Sequence, residues 1–406
     1  MPEREFVVPY LPVGTTYGPE ELAVLTECVT SGESLSCGKQ RAAFEQEFAA
    51  YLGVKHAISL ANCTVALELA TYLCDLKAGD EVIATAQSYQ ATVTPLLMSP
   101  ATVKFCDIDP VALNIDPAVI EKLLTERTKA IYLVHYGGTM ADMRAIRELA
   151  RDRGIVIVED SAHAIGAERD GIRPGTGGSL GCFSFQSYKN ISTLGEGGMI
   201  TTDDDQWAER LRRLRSIEPD ATYAPRSTAH LGPYQAPADG VFRHEKEAFI
   251  ADCVDIRHPG TNSTLAEPAA AVGRVQLRRL GELVAARQHV ADTLDAALAD
   301  LPGVRVQRLP DNTISARHLY TFFVNDEARV AQPELLGLLL RHGIEVQQRY
   351  FPLHLLSEWR YRGGGLDQCP VAEETWFHRM VNLPIYPQMT QHQLDYMVKV
   401  LRDLLG

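Results

Sequence analysis

Short apolar runs alternate with segments of helical periodicity over the first two thirds of the chain. The apolar runs predict strands at His56–Leu60, Glu81–Thr85, Val103–Cys106, Ala130–Val134, Ile155–Val158, Cys182–Phe185 and Met199–Thr202. Apolar spacings of three and four predict helices between them, at Thr64–Leu76, Pro117–Leu124 and Met143–Arg153. Repeated strand–helix units build a mostly parallel sheet flanked by helices, so we predict an α/β fold with Ile155–Val158 as a central strand.

The pattern changes near Ala269. The sequence there predicts a long helix, a strand and two further helices, at Val272–Leu301, His318–Val324, Pro333–His342 and Gln391–Leu405. We therefore expect a large α/β domain over residues 1–265 and a smaller α+β domain over residues 266–406. Between the two patterns, Ser216–Gly260 is rich in Pro, Gly and charge, with little periodicity except around Lys246–Val254. Such a long connection indicates a functional arm or lid, or an unrecognised element.

Composition narrows the class of protein. The chain has 406 residues, is 46% hydrophobic and carries a formal net charge of −13. This balance disfavours generic binding to nucleic acid, which rewards clustered Lys and Arg. The eight cysteines are scattered without a Cys-x-x-Cys pair, which predicts reduced thiols and no zinc site. The sequence shows neither an export signal nor an apolar run of membrane-spanning length, so a soluble cytoplasmic protein is expected.

Chemically useful residues follow the predicted strands. Asn62-Cys63-Thr64 follows the first strand and begins a helix, where backbone N–H groups favour a phosphate. Tyr89, Asp160 and Lys189 follow three other strands. Because ligands of open α/β sheets bind beyond the carboxyl ends of the strands, we expect a phosphate cradle, an aromatic ring, a carboxylate and an amine at one edge.

This combination is what pyridoxal phosphate (PLP) requires. Lys189 lies between an apolar strand and the glycine-rich turn Gly195–Gly198, and a strand upstream leads to Asp160. A lysine forms a Schiff base with the cofactor aldehyde, and an aspartate pairs with the pyridinium nitrogen. Ser184 would add a hydroxyl for the phosphate. No His-Glu-x-x-His pattern or dinucleotide fingerprint is present, so no metal is predicted.

Each residue taken alone has an ordinary alternative. Asp160 could cap the next segment, Lys189 could be a surface lysine and Tyr89 a core aromatic. Ser184 could alternate outward on its strand, and His163 could be a generic loop histidine. Cys63 could be an activated thiol or, more simply, a small residue in a tight turn. The occurrence of these residues at neighbouring strand ends is what favours a common site.

These residues lie within a longer resemblance. From about Pro9 to the C-terminus the chain resembles the DegT/StrS-type sugar aminotransferases, members of the aspartate aminotransferase superfamily. The matching segments are Phe44–Gly53, Gly79–Ile83, Val134–Gly138, Ala141–Met143, Glu159–Ala164, the Lys189 segment, Asn262–Glu267, Pro352–His354 and Asn382–Pro387. The resemblance implies a PLP-dependent aminotransferase of fold type I.

The resemblance also implies roles for individual residues. Lys189 would bind PLP covalently and later move the proton, and Asp160 would hold the pyridine nitrogen. His163 would lie beside the ring and Tyr89 would stack on it. The phosphate would be held by backbone groups at Cys63 and Thr64, by the Ser184 hydroxyl, and by Asn262 from a neighbouring subunit. A homodimer with shared active sites follows from this last role.

The implied reaction is a two-stage amino transfer. Glutamate or glutamine would convert the cofactor to pyridoxamine phosphate (PMP), and a nucleotide-linked keto-sugar or a keto-cyclitol would then receive the amine, in amino-sugar or antibiotic biosynthesis. A PLP-dependent lyase or cyclase is an alternative, and a ligand-sensing regulator is a less favoured one. The related sugar dehydratases replace the lysine by histidine, so Lys189 argues against that activity.

The chain departs from the family pattern in several places. Thr264 occupies a position where Arg or Lys is usual, and Met140 replaces a common proline. The usual Ser-Gly-Thr phosphate turn is Asn62-Cys63-Thr64, which keeps the threonine. The Ser216–Gly260 segment is longer than usual, and we expect part of the substrate specificity to lie there.

Overall fold

The secondary structure of the protein comes from a computed structural model that describes residues 6–11, 13–216 and 260–406. The strands are β1 His56–Leu60, β2 Glu81–Thr85, β3 Thr102–Cys106, β4 Thr128–Val134, β5 Val156–Asp160, β6 Glu168–Arg169, β7 Leu180–Ser184, β8 Gly198–Thr202, β9 Val304–Val306, β10 Thr313–Ile314, β11 Tyr320–Val324 and β12 Met380–Leu383. The α-helices are α1 Pro19–Thr30, α2 Lys39–Leu52, α3 Cys63–Leu73, α4 Pro117–Leu123, α5 Met143–Ala150, α6 Asp205–Leu214, α7 Glu267–Leu298, α8 Gln332–Arg341, α9 Ser357–Arg360, α10 Pro370–Glu374 and α11 Gln391–Leu405.

The central sheet has seven strands in the order β1-β8-β7-β5-β4-β2-β3. Pairings from β7 through β5, β4 and β2 to β3 are parallel, whereas β8 runs antiparallel to both of its neighbours. Two antiparallel pairings in succession leave β1 running in the same direction as β7. The carboxyl ends of β1, β7, β5, β4 and β2 therefore meet at one edge, which is where ligands bind in sheets of this kind.

Alternating side chains of each strand enter different apolar layers. On β4, Ala130 and Tyr132 pack in the layer formed with helices α3 and α6, while Ile131 and Leu133 pack in the layer formed with α5. A third cluster joins α2 to β7 through Phe48 and Phe183, whose ring centroids are 5.0 Å apart. Helices on both faces thus bury the sheet, as expected for parallel strands.

The C-terminal part contains a smaller antiparallel sheet, β12-β11-β9. It packs with helices α8 and α11 in a separate apolar cluster that includes Phe322, Leu335 and Leu401. The long helix α7 belongs to both parts, because Leu283 packs in the cluster around α2 and Leu294 packs in the C-terminal cluster. The fold prediction is confirmed, whereas the boundary at 265/266 stays a prediction.

Most of the predicted elements are present, with shifted ends. Strand β5 begins at Val156 and includes Asp160, so the predicted Ile155–Val158 strand is displaced by up to two residues; it is the fourth strand of seven, as its apolar run indicated. Helix α7 covers Glu267–Leu298 where Val272–Leu301 was predicted. The interior of the Ser216–Gly260 segment, including Lys246–Val254, lies outside the described residues. Within the described ranges, no helix combines the length and apolarity needed to cross a membrane.

Candidate active site

Four loops bring the predicted residues to the carboxyl edge of the sheet. The turn after β1 begins helix α3 at Cys63, and the loop after β2 carries Tyr89. Asp160 is the last residue of β5, and the loop that follows β7 carries Lys189. Because β7 pairs directly with β5, with Cys182 opposite Asp160, the amine and the carboxylate arise from adjacent strands.

The Lys189 loop is held in a defined shape by backbone hydrogen bonds. The Ser187 N–H donates to the Gly195 carbonyl at 2.9 Å, and the Lys189 N–H donates to the Gln186 carbonyl at 2.8 Å. Gly195 has φ +130°, a conformation that glycine adopts without strain. On the outside, the Gly14 N–H donates to the Ser187 carbonyl at 2.7 Å, so the N-terminal segment packs directly against this loop.

The amine of Lys189 lies in a desolvated environment, although the residue as a whole is half-buried. The pKa of Lys189 is lowered to about 8, chiefly by burial and to a smaller extent by the Arg349 guanidinium, while the Asp160 carboxylate opposes both effects. Loss of hydration disfavours the ammonium form, which explains the direction of the shift. The neutral amine that a nucleophile or a base requires is therefore far more populated near pH 7 than in an ordinary lysine.

The Asp160 carboxylate is 5% exposed and has two hydrogen-bond donors within the described chain. Its Oδ2 accepts from the Thr92 hydroxyl at 2.6 Å, and its Oδ1 accepts from the Ala162 N–H at 3.1 Å. Burial raises the pKa of Asp160, while the bond from Thr92, the bond from Ala162 and the Lys189 charge oppose that effect. The carboxylate is thus positioned for a cationic partner.

His163 is one of three stacked rings. Its ring lies 4.3 Å from that of His318 at an interplanar angle of 19°, and 5.7 Å from that of Tyr350 at 10°. The Tyr350 hydroxyl is 3.3 Å from His163 Nε2. Burial lowers the pKa of both histidines well below its ordinary value, aided by Lys189 and Arg349, so the pair is neutral. Neutral stacked imidazoles form a flat, uncharged surface next to the lysine and the carboxylate.

Tyr89 is 53% exposed, so it is not a core aromatic. Its ring meets Tyr350 edge to face, with centroids 5.9 Å apart and an interplanar angle of 62°. Tyr89 is therefore partly accessible to a ligand. This placement leaves room for the stacking role that the resemblance implies.

The expected phosphate turn lies where β1 passes into α3. Cys63 and Thr64 are the first two residues of the helix, and the Asn62 side chain caps it by accepting from the Val65 N–H at 3.0 Å. Burial raises the pKa of the Cys63 thiol well above its ordinary value, and the Asp160 charge adds to this, so the thiol is not activated. Gly198 closes the turn, because a Cβ there would lie 2.4 Å from the Asn62 carbonyl carbon.

The other two predicted phosphate ligands are placed differently. Ser184 is buried at the end of β7, and its hydroxyl accepts from the Gln186 N–H at 3.4 Å. Asn262 is exposed and follows the undescribed segment. Its neighbour Ser263 accepts from the Ala61 N–H at 2.6 Å, which attaches this strand-like stretch to the turn before α3. Asn262 forms an isolated antiparallel bridge with Ser216, and within the described ranges its side chain has no hydrogen bond to the other predicted site residues.

Several site residues were missed by sequence reasoning. They are Ser88, Thr92, Asn190, His318 and Tyr350. Thr92 follows Tyr89 by one 3-10 turn, a spacing that could have indicated it. His318 and Tyr350 come from the C-terminal part, and no local pattern connects them to β5. His318 Nδ1 is 3.1 Å from Asn190 Oδ1, so the residue next to Lys189 is attached to that part of the chain.

A buried set of hydrogen bonds around Glu159 supports the strand that ends in Asp160. His135 Nε2 is 2.8 Å from Glu159 Oε2, and both side chains are fully buried. Glu159 Oε2 also accepts from the Gly175 N–H at 3.0 Å, and Glu159 Oε1 accepts from the Gly178 N–H. The His135 N–H donates to the Asp160 carbonyl at 3.2 Å. These bonds fix the end of β5 from the side opposite its carboxylate.

The fold and the site together define a PLP-dependent transferase class, and comparison with known proteins gives the family. The family model for the DegT/DnrJ/EryC1/StrS aminotransferase family matches residues 16–402. The chain belongs to this family. PLP dependence and an aminotransferase-type enzyme, both predicted from the sequence, are thereby confirmed at the level of the family.

Individual relatives extend over almost the whole chain. The spore coat polysaccharide biosynthesis protein SpsC of Bacillus subtilis is 32% identical over 406 residues, covering 99% of this chain and 98% of that protein. GDP-perosamine synthase of Caulobacter vibrioides is 33% identical over 382 residues, covering 93% and 94%. The crystal structure of the aminotransferase TlmJ from Streptoalloteichus hindustanus has a TM-score of 0.83 at 30% identity, covering 97% and 98%.

The residues present fit the cofactor. A desolvated amine with a lowered pKa, a buried carboxylate and a capped helix start lie at one sheet edge. His163 Nδ1 and His318 Nε2 are buried and without a hydrogen-bond partner in the described part of the chain. Such buried polar atoms indicate a site that a polar aromatic ligand completes.

Proposed function

We propose that this protein transfers an amino group from glutamate or glutamine to a keto-sugar carried on a nucleotide. The observation that carries the proposal is the Lys189 amine, desolvated and adjacent to the buried Asp160 carboxylate. The family is PLP-dependent, and PLP chemistry requires such an amine and carboxylate. Amino-sugar biosynthesis, including that of antibiotics, is the pathway class we infer, and the cytoplasm is the compartment.

The proposed roles divide the site into binding and proton transfer. Asp160 holds the pyridine nitrogen, His163 and Tyr89 lie against the ring, and the N–H groups of Cys63 and Thr64 hold the phosphate with the Ser184 hydroxyl. When bound, the cofactor supplies an electron-accepting ring. Lys189 Nζ then accepts the proton from the substrate carbon and donates it to the cofactor carbon C4′. Its lowered pKa supports this role, since only the neutral amine accepts a proton.

Of the three arginines Arg226, Arg317 and Arg349, we propose Arg349 as the contact for an anionic substrate. Its Nε donates to Gln347 Oε1 at 2.6 Å, and no carboxylate of the described chain pairs with it. Arg317 is instead engaged by Gln288 at 3.2 Å and Asp295 at 3.4 Å. Arg226 lies outside the described residues. A guanidinium without a carboxylate partner near Lys189 suits a diphosphate or carboxylate group.

A nucleotide-linked acceptor is also supported by the relatives. GDP-perosamine synthase is named for a nucleotide-linked amino sugar, and SpsC for polysaccharide biosynthesis. These names describe those proteins, and they favour a keto-sugar over a keto-cyclitol as the first acceptor to test. A cyclitol acceptor is the second candidate.

We further propose a homodimer in which Asn262 reaches the phosphate held by the other subunit. The exposure of the Asn262 side chain supports this arrangement. Mixing inactive Lys189→Ala and Asn262→Ala chains should restore activity, because a mixed dimer would contain one intact site. Absence of restored activity in a mixture shown to contain mixed dimers would contradict shared sites.

The amino transfer itself is tested by spectroscopy. Purified protein loaded with PLP should show the absorbance band of the lysine-bound cofactor, which glutamate or glutamine should convert to the pyridoxamine band. A nucleotide-linked keto-sugar should restore the first band, and a keto-cyclitol serves as the comparison. Lys189→Ala should abolish turnover, whereas Lys77→Ala, at an exposed lysine, should not. Full turnover by Lys189→Ala, or amino acid consumption without a pyridoxamine band, would contradict the proposal; the latter would indicate a lyase or cyclase.

A further inference from the structure

Two buried hydroxyl groups approach the Asp160 carboxylate from the loop after β2. We propose that Thr92 and Ser88 are positioning residues that keep Asp160 ionised and oriented toward the cofactor nitrogen. The inference rests on the proposed role of Asp160 and extends it to two residues that do not themselves touch the reacting atoms. It predicts that cofactor affinity depends on a hydroxyl at position 92.

Thr92, Ser88 and Asp160 are joined by short hydrogen bonds and are all buried. Thr92 Oγ1 is 2.6 Å from Asp160 Oδ2 and 2.6 Å from Ser88 Oγ. Thr92 is 0% exposed, Ser88 1% and Asp160 5%. Water therefore does not compete for these hydrogen bonds, and burial increases the effect of each on the charge of the carboxylate.

The direction of the hydrogen bonds follows from the number of available protons. An ionised carboxylate only accepts, so the single Thr92 hydroxyl proton points to Asp160 Oδ2. The Thr92 oxygen is then an acceptor, and the Ser88 hydroxyl must be its donor. The bonds run in one direction, from Ser88 to Thr92 to Asp160. Hydrogen bonds aligned in this way polarise one another, and a bond to a charged acceptor is stronger than one between neutral groups.

These hydrogen bonds offset the cost of burying the charged Asp160 carboxylate. Burial favours the protonated acid, which would pair poorly with a cationic nitrogen. The bond from Thr92 and the bond from the Ala162 N–H stabilise the charged form and hold the two carboxylate oxygens in fixed positions. Since the carboxylate cannot rotate without breaking one of them, its remaining lone pairs keep a fixed direction.

The 3-10 turn that contains Thr92 also connects the Asp160 carboxylate to Tyr89, the residue proposed to stack on the cofactor ring. The Thr92 N–H donates to the Tyr89 carbonyl at 3.1 Å, closing the 3-10 turn Gln90–Thr92. The Thr92 side chain, through its bond to Asp160, therefore anchors the loop that carries Tyr89. A valine at position 92 has almost the same shape as threonine, so it removes the hydroxyl while keeping the turn.

The test measures binding of PMP, which cannot form a covalent bond with Lys189, to the full-length protein after cofactor removal. Thr92→Val should raise the dissociation constant of PMP about 10-fold to 100-fold, the range expected for a hydrogen bond to a charged group. Thr92→Ser should remain within about three-fold of the unmodified protein, because it keeps the hydroxyl. Thr71→Val is the matched control, since Thr71 Oγ1 contacts Tyr132 at 2.8 Å, away from Asp160.

A double-mutant cycle separates the proposed role of Asp160 from the proposed role of Thr92. Asp160→Asn alone should weaken PMP binding, and adding Thr92→Val to it should change the affinity by no more than about two-fold. If Asp160→Asn weakens binding but Thr92→Val does not, the role of Thr92 is wrong and that of Asp160 stands. If Asp160→Asn leaves binding unchanged, the proposed role of Asp160 fails as well. An equal loss from Thr92→Val in both backgrounds would also overturn the inference.

Discussion

The pKa values of Lys189 and Asp160 shift in opposite directions because the same desolvated environment acts on groups of opposite charge. Burial is the largest cause that lowers the pKa of the amine to about 8, and it raises the pKa of the carboxyl. The charge of each residue partly offsets the shift in the pKa of the other. The sequence predicted both residues from the rule that ligands bind at strand ends. It could not predict His318 or Tyr350, whose roles depend on contacts made across the fold.

The lowered pKa of Lys189 predicts a pH profile for the attachment of PLP. Only the neutral amine attacks the aldehyde, so the attachment rate should rise with pH and level off above about pH 8. A lysine at its ordinary value of about 10.4 would give a rate that still rises at pH 10. Stopped-flow absorbance of the cofactor-free protein mixed with PLP measures this directly. A rate still rising at pH 10 would contradict the assigned environment.

At the scale of elements, strands were easier to predict than helices with polar inner faces. The runs that became β1 and β2 match the structure residue for residue. Helix α1 was missed because its buried face includes Glu21, whose Oε1 accepts from Gln276 and Arg279, each at 2.7 Å. An acidic residue that faces inward to meet partners more than 250 positions away leaves no apolar periodicity to recognise.

Helix α7 offers a test of how the elements are joined. Arg287 on this helix is buried, and its guanidinium donates to the carbonyls of Gly14, Arg317 and Ile385, the last at 3.0 Å. Arg287→Met should lower the free energy of unfolding by about 2–4 kcal/mol, because it leaves buried carbonyls without donors. Arg278→Met, at an exposed position of the same helix, should change it by less than about 0.5 kcal/mol. Denaturant titration compares the two, and equal stabilities would contradict this role.

At the scale of the whole molecule, the site is assembled from segments far apart in the chain. Gly14 packs on the Lys189 loop, His318 is attached to Asn190, and Tyr350 stacks with His163. The sequence therefore predicted the sheet edge and its four loops, whereas the contributions from the C-terminal part became visible only in three dimensions. A family resemblance supplied the reaction type, which periodicity and composition do not encode.

The central claim is that Lys189 is the residue that binds PLP. Reduction of the PLP-loaded protein with borohydride makes the bond to lysine permanent, and peptide mass mapping then identifies the modified residue. The account predicts a single stoichiometric modification at Lys189 and none in the Lys189→Ala chain. Stoichiometric modification of another lysine, with Lys189 unmodified, would contradict it.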